Sequence, residues 1–153
     1  FLMIRRPPSS TPKPSSAASD VYKRQVKMLK ALLRSKLHRI NVTQVELDYE
    51  GSCAVDTDIL KKGNFQEYEK IDIYNVTNGE RFSTYLMSAE AGSKTVSING
   101  AAAHKASPND IIIICAYGLY EESEAKIHVP TLVYFDKDNN IKSIKHGIPE
   151  QKL

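Results

Sequence analysis

The segment Tyr49-Glu-Gly-Ser-Cys53 sets a serine hydroxyl and a thiol directly after a glycine. A strand pattern precedes the segment and a capped helix pattern follows it, so it forms a tight connection. Gly51 can take a backbone geometry there that is closed to other residues. A functional turn is one interpretation. An ordinary Gly-Ser turn is the alternative, because turn residues of this kind recur in many proteins.

Two segments with alternating side chains could bind an anionic group. Because side chains alternate along a strand, Arg81, Ser83 and Tyr85 share a face, where the guanidinium could hold a carboxylate near the tyrosine. Lys36 and His38 share a face for the same reason. Taken alone, the two cations are more typical of a solvated surface, and His38 is more typical of a hydrogen-bonded structural imidazole.

A thiol hydrolase that pairs Cys53 with His38 or His104 is a second possible chemistry. No sequence feature near Cys53 predicts the lowered thiol pKa that such a nucleophile needs. Cys53 and Cys115 could form one disulfide at most, and a chain with this size and apolar pattern does not need one. We expect two reduced thiols in a cytoplasmic protein.

The elements that position these residues are mostly short strands. Alternation and β-branched residues predict a strand over residues 36–48. A short helix is predicted over residues 56–63, with Asp56 as the N-cap and Gly63 as a left-handed stop. Many short strands with one small helix predict a closed barrel.

Three hairpins are predicted in the second half of the chain. Asn78-Gly79 joins the first pair of strands, and Ala91-Gly-Ser93 turns the chain into the second hairpin. The continuous apolar run that begins at Ile111 suits a strand buried on both faces. The predicted strands cover residues 70–76, 81–87, 95–99, 111–116, 132–135 and 141–144.

Length and composition fit one domain, since 41% of the 153 residues are hydrophobic. The first 27 residues carry six basic and one acidic side chain, whereas the other 126 carry 15 basic and 17 acidic ones. This slightly acidic body is not typical of a nucleic-acid binder, and no stretch approaches the ~20 apolar residues of a membrane span. We expect a disordered or non-native tail over residues 1–27, a folded domain over 28–145 and a C-terminal tail over 146–153.

Four motifs occur in a recognisable order and spacing: Lys36-Leu-His-Arg39, Tyr49-Glu-Gly-Ser-Cys-Ala-Val-Asp56, Asn75-Val-Thr-Asn-Gly-Glu-Arg-Phe-Ser-Thr-Tyr85 and Asn99-Gly-Ala-Ala-Ala-His104. Together they closely resemble the bacterial aspartate 1-decarboxylase family, from about Met28 to Lys145. The departures are modest. Tyr74 stands where the family often has Trp, Lys105 follows His104 where the family is variable, and Pro108-Asn109 precedes Asp110 where Gly-Asp is usual.

The resemblance implies a mainly β fold, a six-stranded double-psi β-barrel with short helices, assembled as a homotetramer with active sites between neighbouring subunits. It implies self-cleavage between Gly51 and Ser52, which converts Ser52 into a covalent pyruvoyl group and needs no metal. That ketone would form a Schiff base with the substrate and accept the electrons released with CO₂. The implied activity is decarboxylation of L-aspartate to β-alanine in pantothenate biosynthesis, with a maturation helper protein as a possible partner.

The resemblance also assigns roles to individual residues. Ser52 and Tyr85 would be catalytic, with Tyr85 donating a proton to the carbanion. Processing would involve Gly51, Ser52, Thr84 and Asn99. The substrate would contact Lys36, Arg81, Thr84, Gly100, Ala101 and Ala102, and His38 and Tyr49 would support the site. A non-enzymatic or unprocessed small β-barrel that only binds a ligand is the alternative function.

Overall fold

The structure is a computed structural model that describes residues 27–153. Residues 1–26, and with them nearly all of the predicted N-terminal tail, lie outside the described part. The mainly β fold with short helices is confirmed. The elements are β1 (Lys30–Asn41), β2 (Gln44–Glu46), β3 (Cys53–Asp56), α1 (Thr57–Lys62), β4 (Lys70–Asn75), β5 (Arg81–Ala89), β6 (Val96–Asn99), a 3-10 helix (Gly100–Lys105), β7 (Ile111–Tyr120), α2 (Glu122–Ile127), β8 (Thr131–Phe135) and β9 (Ile141–Lys145).

The strands form one curled sheet with the order β2-β6-β3-β5-β4-β7-β1-β8-β9. Its hydrogen-bonded ladder is not closed, because β2 and β9 each have one neighbour. Only Val42 and Thr43 separate β1 from β2, so the chain itself joins the two sides of the curl. Val42 N donates to Asp110 O at 2.9 Å and Thr43 N donates to Val96 O at 2.8 Å. The β8–β9 hairpin extends the sheet beyond β1, which adds to the six strands that the resemblance implies.

The inner face of this curled sheet holds the core. Strand alternation directs one side chain in two inward, and the largest of these are aliphatic. Those at most 1% exposed include Leu37, Ile71, Ile73, Leu86, Ile98, Ile112 and Ile114. Truncating one such side chain to alanine costs about 2–5 kcal/mol of folding free energy. The core therefore holds the strands that carry the site in a fixed arrangement.

Helix α1 begins as the sequence predicts and ends differently. The Asp56 carboxylate accepts the Asp58 N–H at 2.8 Å, which confirms the N-cap. Gly63 has φ −83° and continues the helix by donating to Ile59 O, so the prediction of a left-handed Gly63 is wrong. Asn64 takes the left-handed conformation instead, with φ 59°. Packing requires the glycine, because a Cβ at Gly63 would lie 2.8 Å from the Phe65 ring.

Two of the three predicted hairpins are confirmed. β4 pairs with β5 and β8 pairs with β9, both antiparallel. The hairpin predicted around residues 91–93 is wrong, because β3 lies between β5 and β6. β3 runs parallel to β5 and antiparallel to β6. A local turn signal predicts that the chain reverses, but it does not predict which strand becomes the neighbour.

The predicted first strand is also wrong at its start and in its continuity. β1 starts at Lys30 rather than at residue 36, and it ends before Val42. Its pairing with β7 shifts register between Leu33 and Ser35 and again between Leu37 and Ile40. Each shift breaks the alternation of inward and outward side chains, which explains why the leucines of this segment follow no strand pattern in the sequence.

Candidate active site

Ser52 and Tyr85 lie side by side although 33 residues separate them in the sequence. Cys53, the first residue of β3, pairs with Leu86 of the parallel strand β5, so the preceding residues of both strands also meet. The Ser52 hydroxyl donates to Tyr85 O at 2.9 Å, and Tyr85 N donates to Ser52 Oγ at 3.3 Å. Strand pairing thus fixes the serine against the backbone of the tyrosine.

Gly51, directly before this serine, has φ 89°, in the left-handed region that favours glycine. A Cβ added there would lie 1.9 Å from Met87 Sδ, far inside van der Waals contact. Both the backbone angle and the space therefore exclude a larger residue. The peptide bond between Gly51 and Ser52 is held in a conformation that few other sequences could adopt.

The end of β6 lies against the same peptide segment. Asn99 N donates to Ser52 O at 2.8 Å. Gly100 has φ 62°, and a Cβ there would lie 3.4 Å from Tyr49 O and 3.6 Å from Gly51 O. The side chain of Asn99 is 2% exposed, and Ser97 Oγ donates to its Oδ1 at 2.6 Å. This bond fixes the orientation of the Asn99 amide.

These residues line one cavity of about 430 Å³. It brings together eight residues of the predicted site: Gly51, Ser52, Thr84, Tyr85, Asn99, Gly100, Ala101 and Ala102. Phe82, Ser83 and Lys105 also line it, although the motifs assign them no role. Phe82 and Ser83 lie on β5 between predicted site residues. In a 3-10 helix residues three apart are eclipsed, so Ala102 carries the signal that could have placed Lys105 here.

The predicted carboxylate-binding residues do not reach this cavity on the same chain. Lys36 pairs with Cys115, Cys115 with Asp72, and Asp72 with Ser83, in one row across four strands. Three strand spacings place Lys36 about 14 Å from Ser83. Arg81 begins β5, four residues before Tyr85, which is about 13 Å along a strand.

Arg81 is held on the outer face of the sheet. Its guanidinium carbon lies 3.9 Å from the centre of the Tyr74 ring, a cation–π contact. The Tyr74 hydroxyl in turn lies 2.8 Å from that of Tyr117. Arg81 and Lys36 therefore lie on the outer face, and neither of them lines the Ser52 cavity of the same chain.

The two supporting residues of the predicted site also lie outside the cavity. His38 lines a separate cavity, where its ring meets the Tyr134 ring edge-on with centroids 5.3 Å apart. Burial lowers the pKa of His38, and the charges of Lys36 and Arg39 lower it further, so the imidazole is neutral at pH 7. Tyr49 is 56% exposed.

The environment of Cys53 disfavours a thiol hydrolase. The side chain is fully buried, and burial raises the pKa of Cys53 to about 12. A neutral core thiol is a poor nucleophile. Cys115 is also buried, and both cysteines are free.

Within residues 27–153 no three His, Cys, Asp or Glu side chains are grouped so as to hold a metal ion. None of the helices described there is long and apolar enough to cross a membrane.

Comparisons with known proteins identify the family of this chain. The family model described as Aspartate decarboxylase matches residues 28–142. The protein named Aspartate 1-decarboxylase from Methylobacillus flagellatus is 54% identical over 124 residues, which are 81% of this chain and 98% of that protein. Its namesake from Thioalkalivibrio sulfidiphilus is 55% identical over the same coverage, and the one from Marinomonas sp. is 54% identical over 121 residues, 79% and 96% of the two chains. The chain therefore belongs to the aspartate decarboxylase family.

Proposed function

We propose that this chain cleaves its own backbone between Gly51 and Ser52 and then decarboxylates L-aspartate to β-alanine and CO₂. The observation that carries the proposal is the contact between Ser52 and Tyr85 beside a glycine with φ 89°. The names of the relatives support the substrate and the reaction.

Self-cleavage uses groups that the chain itself supplies. Ser52 Oγ attacks the Gly51 carbonyl carbon, the acyl group moves from nitrogen to oxygen, and the serine proton ends on the freed amine. β-Elimination then removes the Ser52 α-proton and releases Gly51 as a carboxylate, which leaves dehydroalanine. Water replaces its nitrogen, ammonia leaves, and residue 52 becomes a pyruvoyl group at a new N-terminus.

Three neighbours assist this rearrangement. The positive φ of Gly51 strains the amide, which favours its conversion to an ester. The Thr84 hydroxyl, in the same cavity, donates to the oxyanion that forms on Gly51. A donor of this kind contributes about 10²- to 10³-fold in rate. Asn99 holds the Ser52 carbonyl oxygen through its backbone N–H at 2.8 Å.

The residues around position 52 fit a pyruvoyl group. Residue 52 keeps its own carbonyl oxygen after cleavage, so the Asn99 N–H can still hold it, and the buried Cys53 anchors the new N-terminus. When present, the ketone supplies an electron sink for carbon–carbon bond cleavage. Tyr85 is 41% exposed beside position 52, where its hydroxyl donates the proton that replaces CO₂.

Lys36 and Arg81 reach the substrate from a neighbouring subunit of a homotetramer. The proposal is supported by their distance from the cavity of their own chain, about 14 Å for Lys36 to Ser83 by strand spacing. The outer face that carries them also exposes apolar surface, since Tyr117 is 44% exposed and Leu119 68%. A second copy would bury that surface and complete the site with two cations.

The product would feed pantothenate biosynthesis in the cytoplasm, and a helper protein could accelerate maturation. An unprocessed ligand-binding barrel is the competing function. Intact mass spectrometry of the purified chain separates the two. We expect two fragments that meet between Gly51 and Ser52, of which the C-terminal one reacts with hydroxylamine, together with aspartate turnover. A single chain without turnover would contradict the proposal and favour the binding module.

A further inference from the structure

Lys105 lines the Ser52 cavity, and it is the only residue with a charged side chain among the described residues that do so. It ends the 3-10 helix that begins at Gly100, one turn after Ala102, and both residues line the cavity. Among the described residues that line this cavity on a single chain, Lys105 is therefore the cation available to an anionic ligand beside Ser52 and Tyr85.

The backbone of Lys105 is fixed against the β4–β5 hairpin. Its carbonyl oxygen accepts from Asn75 Nδ2 at 3.2 Å and from Asn78 Nδ2 at 3.0 Å. Asn75 is 3% exposed and also donates to Asp110 Oδ2 at 2.8 Å. The side-chain amides of Asn75 and Asn78 thus fix the backbone of Lys105, which limits where its ammonium group can lie.

The Lys105 ammonium already binds one carboxylate. Its Nζ lies 3.0 Å from Glu80 Oε2, and the two side chains are 47% and 45% exposed. Ion pairs with this exposure contribute little to stability, because water screens them. An incoming carboxylate can therefore share or replace Glu80 at little cost, and an ammonium group has three protons to donate.

We infer that Lys105 determines substrate specificity by binding the side-chain carboxylate of the amino acid, with Glu80 as its resting counter-ion. The inference rests on the proposed function and adds a cation from the chain that carries Ser52. A cation on the α-carboxylate would stabilise the negative charge that must be lost as CO₂. It would therefore stabilise the bound substrate more than the transition state and slow decarboxylation. The side-chain carboxylate keeps its charge throughout and remains in the product.

Steady-state kinetics of Lys105→Gln test this inference, because KM does not depend on the fraction of cleaved chains. Loss of one partly exposed charge contact should raise KM for L-aspartate about fivefold. The inhibition constant of β-alanine should rise by the same factor, since the product keeps that carboxylate. Lys105→Arg should restore both constants, and Glu80→Gln should lower KM by freeing the ammonium group.

Lys30→Gln is the matched control. Lys30 also forms an exposed ion pair, with Glu122 at 2.8 Å, but it does not line the Ser52 cavity, so KM should not change. Unchanged constants in Lys105→Gln would overturn the inference, and a raised KM with an unchanged β-alanine constant would overturn the choice of carboxylate. Ser52→Ala tests the proposed function separately. If it is intact and inactive while Lys105→Gln behaves like the parent, only the role of Lys105 is wrong.

Discussion

The hydroxyl oxygen of Ser52 lies 2.9 Å from the backbone oxygen of Tyr85 and 3.3 Å from its backbone nitrogen. The side chain that would form the cofactor is thus fixed to the backbone of the residue that would donate the proton. Cofactor formation and proton transfer would therefore share one location but depend on different side chains. Substitutions can separate the two steps.

Tyr85→Phe removes only the hydroxyl of the proton donor. We expect the variant to cleave normally, because Ser52 bonds to the backbone of Tyr85 and not to its ring. Turnover of L-aspartate should fall by about 10²- to 10⁴-fold, the usual contribution of general acid catalysis. Tyr68→Phe, which removes a hydroxyl from a 73% exposed tyrosine, is the control. Undiminished turnover in Tyr85→Phe would exclude the proton-donor role.

Gly51→Ala combines backbone strain with a clash against Met87. We expect the variant to lose most of its self-cleavage and to be destabilised by about 1–3 kcal/mol or more. Gly79→Ala separates the two effects, because Gly79 has φ 80° but a Cβ there would meet nothing within 4 Å. Urea denaturation and the cleaved fraction should both show a larger effect at Gly51. Equal effects at the two glycines would show that the clash with Met87 does not matter.

Co-expression of two inactive variants tests whether subunits share the site. Ser52→Ala chains keep Arg81, and Arg81→Ala chains keep Ser52. If Arg81 serves the cavity of a neighbouring subunit, mixed assemblies contain some sites with both residues, at random about a quarter of them. Activity should therefore return on co-expression to about that fraction. No recovery in assemblies shown to be mixed would place Arg81 and Ser52 in one chain's site.

Cys53 should be unreactive in the folded protein. Burial raises its pKa from the ordinary value of 9.0 to about 12, so the folded state disfavours the thiolate. Above the ordinary pKa the unfolded chain binds fewer protons, and the stabilising contribution of Cys53 is lost between about pH 9 and pH 12. In Cys53→Ala the free energy of unfolding should decline less over this range. Rapid alkylation of Cys53 in the native protein at pH 8 would contradict its burial.

Local structure can be predicted from this sequence more accurately than the order of the strands in the sheet. Asn78-Gly79 and Asp56 act within a few residues, so the hairpin and the helix start could be read directly. The contact between Ser52 and Tyr85 depends on β3 lying between β5 and β6, which no local turn signal encodes. The family motifs predict that Ser52 and Tyr85 belong to one site. The alternation of side chains along each strand does not predict that the two residues are in contact.

The cavity shows a similar limit. Eight predicted residues meet there, but Lys105 was missed because its position depends on the 3-10 geometry of the segment after Asn99. Lys36 and Arg81 were predicted to line the same site, but neither of them lines this cavity on its own chain. Neither alternation nor motif order gives the distance between strands that are far apart in the sequence.

The most direct test of the central claim is intact mass spectrometry of Ser52→Ala beside the parent chain. The substitution removes the oxygen that must attack Gly51, while the N–H of Asn99 can still bond to the backbone of residue 52. We expect a single uncleaved chain that does not react with hydroxylamine and has no aspartate turnover, whereas the parent gives two fragments and is active. A Ser52→Ala protein that is cleaved between residues 51 and 52 and active would contradict the account.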